Sequence, residues 1–334
     1  MKIKPIFPRF PNAILAAAAC ILMLAGWAAA SDPPSMFRSD EYVVYKMGVE
    51  DTPSTMARDF LGAAELGWRI EEANTPKDLR PGQYVVIPLK ANNKAGILYN
   101  GVQQVPILCY HRFGADGDSP LSIPGDIFEQ QMSYLKENGF TVITPEQLSE
   151  FLEYRAPLPK KSVLITVDDG YSSFFSVAFP ILKKYGFSAT IFVYVNYIGV
   201  SSKALSWDQL RTLKAEGVTI GSHTIMHSDL SKQGQGESDQ AYLKRLEHEI
   251  VDSKKKIDAR LEQDTLYFAY PFGRANDKAM AVTQKAGYKL AMTVHHGSNP
   301  FYANAFALQR DQVLQRDLIS FQTHLKTFQA MPLR

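Results

Sequence analysis

Two acidic and two imidazole side chains lie in short segments whose spacing permits metal chemistry. Asp168 and Asp169 follow the β-branched run 163–167 and precede a glycine. Such a run is typical of a buried strand in a parallel sheet, and the glycine allows the chain to turn. His223 and His227 are four residues apart, so both can reach one ion from a single helical turn or tight loop. One carboxylate with two imidazoles would leave a divalent metal with open positions, and the second carboxylate would be free to act as a base.

The elements around these segments predict where the four side chains meet. α/β folds place their chemistry at the carboxyl ends of the strands, which is where the acids are expected. Either motif alone has a simpler interpretation, since acids can cap a helix and histidines can lie on the surface. The presence of both motifs, each beside a strand, favours a metal site.

From Val105 onward, strand and helix patterns alternate. This alternation predicts a parallel sheet with helices outside it, most simply a (β/α) barrel. The predicted strands are 105–110, 141–143, 163–167, 189–195, 218–220, 266–270 and 290–294, and the predicted helices are 128–138, 145–152, 174–184, 207–216, 242–261 and 277–286.

The N-terminus has the pattern of a secretory signal peptide. Three basic residues, the last of them Arg9, precede the apolar stretch Ala13 to Ala30, and no acid occurs before Asp32. A positive start, an apolar middle and an Ala-Ala-Ala end predict a signal over residues 1–30, with a retained anchor as the alternative. The expected location is therefore secreted, in the periplasm or cell envelope of a bacterium, with no stable membrane span once the signal is removed.

Composition and charge place limits on the mature chain. The 334 residues suggest about two domains, and the apolar (46%) and charged (21%) fractions are those of a globular protein. Removing the three basic residues changes the formal charge from +2 to 2 − 3 = −1, which gives no basic bias toward nucleic acid. Cys20 lies in the predicted signal, so Cys109 has no partner for an internal disulfide. The oligomeric state is left open.

A small module is predicted ahead of the barrel. After a spacer (31–40), a strand at 42–45, a helix that begins near Asp51 and Thr52, a second helix carrying Trp68, and a strand at 84–88 follow in order. The residues at 42–44, Asp51–Thr52, 73–74 and 79–82 resemble a LysM module, which implies binding of N-acetylglucosamine chains. A purely structural spacer module is the alternative. The predicted domains are 41–90 for this module, 91–103 for a linker and 104–334 for the barrel.

Three motifs of the barrel resemble those of carbohydrate esterase family 4, the metal-dependent polysaccharide deacetylases with a NodB-homology domain. They are 166–170 (Thr-Val-Asp-Asp-Gly), 223–227 (His-Thr-Ile-Met-His) and 269–273 (Ala-Tyr-Pro-Phe-Gly). The resemblance implies a distorted barrel with Asp168 as general base. It also implies that Asp169, His223 and His227 bind a divalent metal, usually zinc, with cobalt or nickel also accepted.

Four further residues are candidates for contact with the substrate. Tyr171 stands where the family often has a substrate-facing aromatic, and a backbone N–H near Tyr171 or Phe272 would help to hold the oxyanion. Pro271 belongs to the same third motif, and His111 ends the first strand at the rim. Ordinary packing is the alternative for Tyr171, and a structural role is the alternative for His111.

Departures from the family pattern lie in the late motifs. The arginine that many members have two places before the proline is replaced by Ala269, and the motif that supplies the general acid has no clear match. This pattern resembles the branch that acts on exopolysaccharide, poly-N-acetylglucosamine. Arg310 is predicted to supply the missing guanidinium, with a plain surface arginine as the alternative. His295 or His296 is predicted as the general acid, and the sequence does not choose between them.

The sequence therefore predicts a hydrolase that removes N-acetyl groups from an N-acetylglucosamine polysaccharide, either exopolysaccharide or peptidoglycan. A rival hypothesis is a glycan-binding protein of the cell envelope that keeps the metal but has lost turnover. A retained Asp168 argues against it, because metal binding alone would not need that side chain. A metal phosphoesterase is disfavoured because no second metal cluster is visible in the sequence.

Overall fold

The computed structural model describes residues 35–74, 79–90, 93–98, 101–114 and 119–331. The predicted signal peptide therefore lies outside the described residues. Within them, no helix has the length and apolar character needed to cross a membrane. The chain divides into two compact units, with the boundary between Ile87 and Pro88.

The first unit has the order strand, helix, helix, strand, with one further strand in front. Its elements are β1 (Ser35–Arg38), β2 (Tyr42–Lys46), α1 (Pro53–Leu61), α2 (Gly67–Ala73) and β3 (Tyr84–Pro88), and the sheet order is β1-β2-β3. Thr52 caps α1 by accepting a hydrogen bond from the Thr55 N–H at 3.1 Å. Asn74 joins the end of α2 to β3, because its amide bonds both the N–H and the C=O of Val86. β1 occupies part of the predicted spacer, so the spacer prediction is wrong for those residues.

The second unit alternates strands and helices. Its strands are β4 (Ile97–Leu98), β5 (Gly101–Gln103), β6 (Val105–Tyr110), β7 (Arg112–Phe113), β8 (Ser122–Ile123), β9 (Thr141–Val142), β10 (Ser162–Val167), β11 (Thr190–Val193), β12 (Thr219–Ser222), β13 (Tyr267–Ala269), β14 (Leu290–Met292), β15 (Ser298–Asn299), β16 (Asp311–Gln312) and β17 (Phe328–Ala330). Its helices are α3 (Gly125–Glu137), α4 (Pro145–Leu152), α5 (Phe179–Tyr185), α6 (Trp207–Ala215), α7 (Asp239–Glu247), α8 (Ser253–Leu261), α9 (Asp277–Lys285) and α10 (Leu318–Thr323).

The main sheet is parallel and curls upon itself. Its order is β14-β13-β12-β11-β10-β6, with parallel pairing along the series. The stretch 308–312, which we call the closing segment, contacts both outer strands: Leu308 pairs with Met292 of β14, and Asp311 pairs with Leu108 of β6. The predicted distorted (β/α) barrel is confirmed, and its strands β6 and β10 are buried along their whole length.

The predicted linker is partly wrong. Its residues Ile97–Leu98 and Gly101–Gln103 form the antiparallel pair β4–β5, and β17 adds to β5 to complete a three-stranded sheet. Such short strands depend on a partner that is distant in the chain, and no local alternation marks them. The end of the predicted linker is thus part of the second unit.

Candidate active site

The four predicted side chains are brought together at the carboxyl rim of the barrel. Asp168 and Asp169 follow β10, and His223 follows β12. Asp169 (φ 77°), Thr224 (φ 79°) and His227 (φ 59°) have left-handed backbone, which side chains other than glycine seldom adopt. Strained backbone of this kind is retained where the surroundings enforce it, and here it clusters around one site.

Asp169, His223 and His227 form a group that fits a divalent metal. Asp169 Oδ1 lies 3.6 Å from His223 Nε2 and 3.3 Å from His227 Nε2. This oxygen is buried and has no hydrogen bond of normal geometry among the described residues. One carboxylate oxygen and two imidazole nitrogens, gathered in this way, are the ligands that zinc and similar ions commonly take.

The protonation states of this group also suit a metal. Burial lowers the pKa of His223, which favours the neutral imidazole. Its Nδ1 lies 2.7 Å from the carbonyl oxygen of Ala269, so the N–H is directed there and the Nε2 lone pair faces Asp169. Burial raises the pKa of Asp169, but the neighbouring His227 and His223 outweigh it, and the net pKa lies below the ordinary value. The unprotonated forms of Asp169 and His223, which a metal requires, are therefore favoured.

Asp168 is held by Arg310 in a buried two-point ion pair. The two guanidinium Nη atoms donate to the two carboxylate oxygens at 2.7 Å each, and Arg310 has no exposed surface. Arg310 also donates from Nε to the Thr293 carbonyl (2.8 Å) and from Nη1 to Thr166 Oγ1 (3.1 Å). Burial raises the pKa of Asp168, but the guanidinium of Arg310 lowers it by more, and the pKa lies well below its usual range. Asp168 is thus a fixed, ionised carboxylate beside the metal-binding group.

His111, which follows β6 at the rim, lies beside Asp168. One of its ring nitrogens, the Cys109 sulfur and an Asp168 oxygen all lie within 4.8 Å of one another. The placement follows from the sheet, because β6 pairs with β10 in a register that sets Tyr110 opposite Val167. The residue after each of these, His111 and Asp168, therefore emerges at the same level of the rim.

The predicted substrate-binding aromatics lie around the metal-binding group. Phe272 has positive φ (58°), is 55% exposed, and its ring centre is 4.7 Å from that of His227. Pro271 is buried and begins the turn that presents Phe272. Tyr171 accepts a 2.5 Å hydrogen bond from Arg112, whose guanidinium also lies over its ring.

Two further tyrosines, Tyr194 and Tyr197, which the sequence analysis did not single out, join this group of aromatic side chains. Tyr197 contacts Tyr171 (5.4 Å between ring centres) and stacks on Tyr194, and Tyr194 lies 5.2 Å from the ring of His227. Their position directly after β11 was the available signal, since that strand lies between the two that carry the predicted ligands.

The predicted acids His295 and His296 have other contacts. His296 Nδ1 lies 2.6 Å from Asp311 Oδ1, and the carbonyl of His295 accepts a hydrogen bond from the Arg310 N–H at 3.1 Å. Both side chains are exposed. Their assignment as general acid stays a prediction, and the geometry gives His111 the better position.

Glu249 is a buried carboxylate that the sequence analysis missed. Its Oε2 accepts hydrogen bonds from the N–H groups of Ile225 and Met226 at 2.9 Å, and its Oε1 accepts one from Ser228 at 2.7 Å. It therefore fixes the backbone of the loop between His223 and His227 by hydrogen bonds. A π-helical turn (His248–Asp252) between α7 and α8 carries it.

Comparison with known proteins identifies the family. The family described as polysaccharide deacetylase matches residues 155–291. The Bacillus subtilis protein YxkH, which bears a polysaccharide deacetylase name, is 36% identical over 210 residues, covering 63% of this chain and 71% of that protein. The poly-β-1,6-N-acetyl-D-glucosamine N-deacetylase of Staphylococcus aureus is 28% identical over 202 residues, covering 57% and 69%. The Streptococcus pyogenes deacetylase PplD, solved with acetate, superposes with a TM-score of 0.61 at 28% identity, covering 67% and 98%.

The curled barrel, with carboxylates and imidazoles gathered at its rim, defines a hydrolytic enzyme of the α/β class. The chain belongs to the polysaccharide deacetylase family and is an N-deacetylase, which confirms the resemblance seen in the sequence motifs.

Proposed function

We propose that this enzyme removes N-acetyl groups from a β-linked N-acetylglucosamine polysaccharide, with the exopolysaccharide poly-β-1,6-N-acetylglucosamine as the preferred substrate. The observation that carries the proposal is the group Asp169, His223 and His227, of which the first two are buried, beside the ion pair of Asp168 and Arg310. The substrate assignment is supported by the similarity to the Staphylococcus aureus deacetylase of that glycan. Peptidoglycan is the second candidate polymer.

Asp169, His223 and His227 would hold a divalent metal, most simply zinc. Such an ion supplies Lewis acidity, which makes the amide carbonyl more electrophilic and water more acidic. Asp168 lies close enough to this group to take a proton from the attacking water, and Arg310 keeps it ionised and oriented for that task.

His111 is the proposed proton donor to the departing amine. Cleavage of the amide C–N bond releases acetate and leaves a free amine, whose nitrogen must gain a proton as the bond breaks. An imidazole suits this step because it holds a proton near neutral pH. His111 lies beside Asp168 on the same rim, whereas His296 is directed to Asp311.

The exposed ring of Phe272 and the tyrosines Tyr171, Tyr194 and Tyr197 would form the wall against which a sugar ring packs. Aromatic faces present large apolar area with few rotamers, which suits the flat faces of a pyranose. The first unit, with its LysM-like order of elements, is proposed to bind the same glycan. The enzyme would act in the bacterial cell envelope or outside the cell, where such polymers are found.

The proposal is tested by measuring acetate release from three polymers: poly-β-1,6-N-acetylglucosamine, peptidoglycan and chitin oligomers. The expected result is release that is fastest on the first polymer, that stops with a chelator and that returns when zinc is added. Release that persists after the metal has been removed and verified absent would contradict metal dependence.

Two variants separate the assigned roles of the aspartates. Asp169→Asn should lose metal and activity together, since a ligand is gone. Asp168→Asn should retain the metal and lose activity by on the order of 10²-fold, the usual contribution of a general base. Elemental analysis of the metal content of both variants tests these roles. An Asp168→Asn protein without metal would contradict the assignment of Asp169 as the metal ligand and Asp168 as the base.

A further inference from the structure

A second group of metal-binding side chains lies on the other face of the closing segment. Successive side chains of an extended chain point to opposite faces. Arg310 faces Asp168 inside the barrel, whereas the next residue, Asp311, faces His296 and His324. His296 Nδ1 is 2.6 Å from Asp311 Oδ1, and His324 Nδ1 is 3.2 Å from Asp311 Oδ2. This group shares no residue with the centre formed by Asp169, His223 and His227.

The buried negative charge of Asp311 favours binding of a cation. The side chain of Asp311 is only 3% exposed, and the partners found for its carboxylate are the two imidazoles and the N–H of Gly297. When both imidazoles are neutral, none of these partners carries a full positive charge. A buried carboxylate is costly without such a charge, and a divalent ion would supply it.

The ligand atoms are already gathered. One nitrogen of each imidazole and a carboxylate oxygen all lie within 4.8 Å of one another. Two imidazoles with one carboxylate suit zinc and its neighbours in the transition series better than magnesium or calcium, which prefer oxygen. The His296 side chain is 79% exposed, so ions can enter from solvent and water can fill the remaining positions.

We propose that His296, Asp311 and His324 form a second divalent-metal site of the zinc type. The three residues come from separate parts of the fold: the loop before β15, the closing segment and the end of α10. A bound ion would clamp these parts together. Because Arg310 precedes Asp311 in the chain, the clamp would also stabilise the segment that holds Asp168.

The test is the zinc stoichiometry of the full-length, tag-free protein, measured by equilibrium dialysis and elemental analysis. The wild-type protein should bind about two equivalents, since each site binds its own ion. His296→Gln should bind about one, and because this side chain is exposed the variant should fold. His227→Gln should also bind about one, and the double variant none.

His248→Gln is the matched control. His248 is an exposed histidine that pairs with Asp252 at 3.2 Å but has no second imidazole beside it, so this variant should keep both equivalents. A wild-type protein that binds a single ion, lost in His227→Gln, overturns the second site. So does a His296→Gln protein with unchanged stoichiometry.

A stability measurement gives an independent readout. In the His227→Gln background, zinc should raise the melting temperature, because a ligand that binds only the folded state stabilises that state. Adding His296→Gln should abolish that rise. A rise that survives in the double variant would place the ion elsewhere. Because neither measurement uses turnover, failure of this site is distinguishable from failure of the proposed substrate.

Discussion

Asp168 and Arg310 form the contact on which the ionisation of the proposed base, Asp168, depends. Two opposing effects act on Asp168: burial raises its pKa, and the guanidinium of Arg310 lowers it by more. Without the guanidinium, burial would dominate and the carboxyl group would be partly protonated at working pH. The ion pair is therefore expected to set the acid side of the pH–rate profile.

Arg310→Gln should move that acid limb to higher pH. The sign follows because the depressed pKa of Asp168 rises when the guanidinium is removed, so the base becomes protonated at a pH where the wild type is still ionised. Turnover at neutral pH should fall by on the order of 10²-fold. Arg310→Lys keeps the charge but loses the two-point contact, so its acid limb and its turnover should lie between those of the wild type and those of Arg310→Gln.

The exposed Arg316 supplies the control, and Arg316→Gln should leave the profile of kcat/KM unchanged. Circular dichroism verifies that each variant is folded, since breaking a buried ion pair costs about 3–5 kcal/mol. An Arg310→Gln enzyme that is folded and has an unshifted acid limb would show that Asp168 is not the titrating base.

His111 and the pair His295 and His296 make opposite predictions for the alkaline limb. His111→Gln should remove or shift that limb and lower turnover by 10²-fold or more, while metal content stays unchanged. The double change of His295 and His296 to Gln should leave the limb in place, because His296 is directed to Asp311. The pH dependence of kcat/KM for both proteins checks this, and the reverse outcome would restore the pair as the proton donor.

At this scale, local motifs were predictable and long-range partners were only partly so. Asp168, Asp169, His223 and His227 each belong to a short segment with its own spacing signal, and the structure gathers them. Arg310 was named as a candidate guanidinium, but its two-point contact joins residues 142 positions apart. No local pattern encodes that distance, because it depends on how the sheet closes.

At the scale of elements, strands and helices of the barrel were predicted to within a few residues. The helix over 145–152 and the strand over 105–110 occur as the sequence indicated. Several short strands were missed, among them Ser35–Arg38 (four residues) and Phe328–Ala330 (three residues), which lie in small sheets. Elements of that length are fixed by their partner strand and carry too few residues for a periodic signal.

Glu249 could have been identified from the sequence as a buried carboxylate with a structural partner. In the helical stretch 239–261, the buried positions Tyr242, Leu246, Ile250 and Ile257 recur at helical spacing. Glu249 lies on the same face, and a charged residue on an apolar stripe requires a polar partner. The N–H groups of the loop that carries the histidines supply it.

Glu249→Gln should weaken metal binding by about 10- to 100-fold, the usual effect of disturbing a group that orients metal ligands. The amide has one acceptor oxygen in place of two, so the loop between His223 and His227 loses part of its support. Competitive titration with a chromophoric chelator measures the affinity without any need for turnover. The exposed Glu247, at the end of α7 and two residues before Glu249, gives the control variant Glu247→Gln, which should bind metal normally. Equal affinities of the two variants would assign Glu249 a purely structural role.

At the scale of the whole molecule, the boundary near Ile87 is expected to separate glycan binding from catalysis. A protein that lacks residues 1–90 should deacetylate short soluble oligomers at an unchanged rate, because the barrel keeps every residue of its rim. Its rate on insoluble glycan should fall, since a tethered binding module raises the local concentration of substrate. A cut at Asn100 is less suitable, because it removes β4 and breaks the sheet with β5.

Acetate release on the two kinds of substrate checks this expectation. A parallel loss on both would mean that the first unit contributes to the catalytic fold. Unchanged rates on both would argue against glycan binding by that unit.

The position of Arg310 also bears on how the enzyme comes into being. The chain is made from its N-terminus, so His227 leaves the ribosome 310 − 227 = 83 residues before Arg310. At 5–20 residues per second this interval lasts roughly 4–17 s. Throughout it, the nascent polypeptide contains Asp168 and the three predicted metal ligands but lacks the guanidinium that pairs with Asp168 in the folded structure. We therefore expect full activity only once the closing segment has docked between β14 and β6, which brings Arg310 to Asp168.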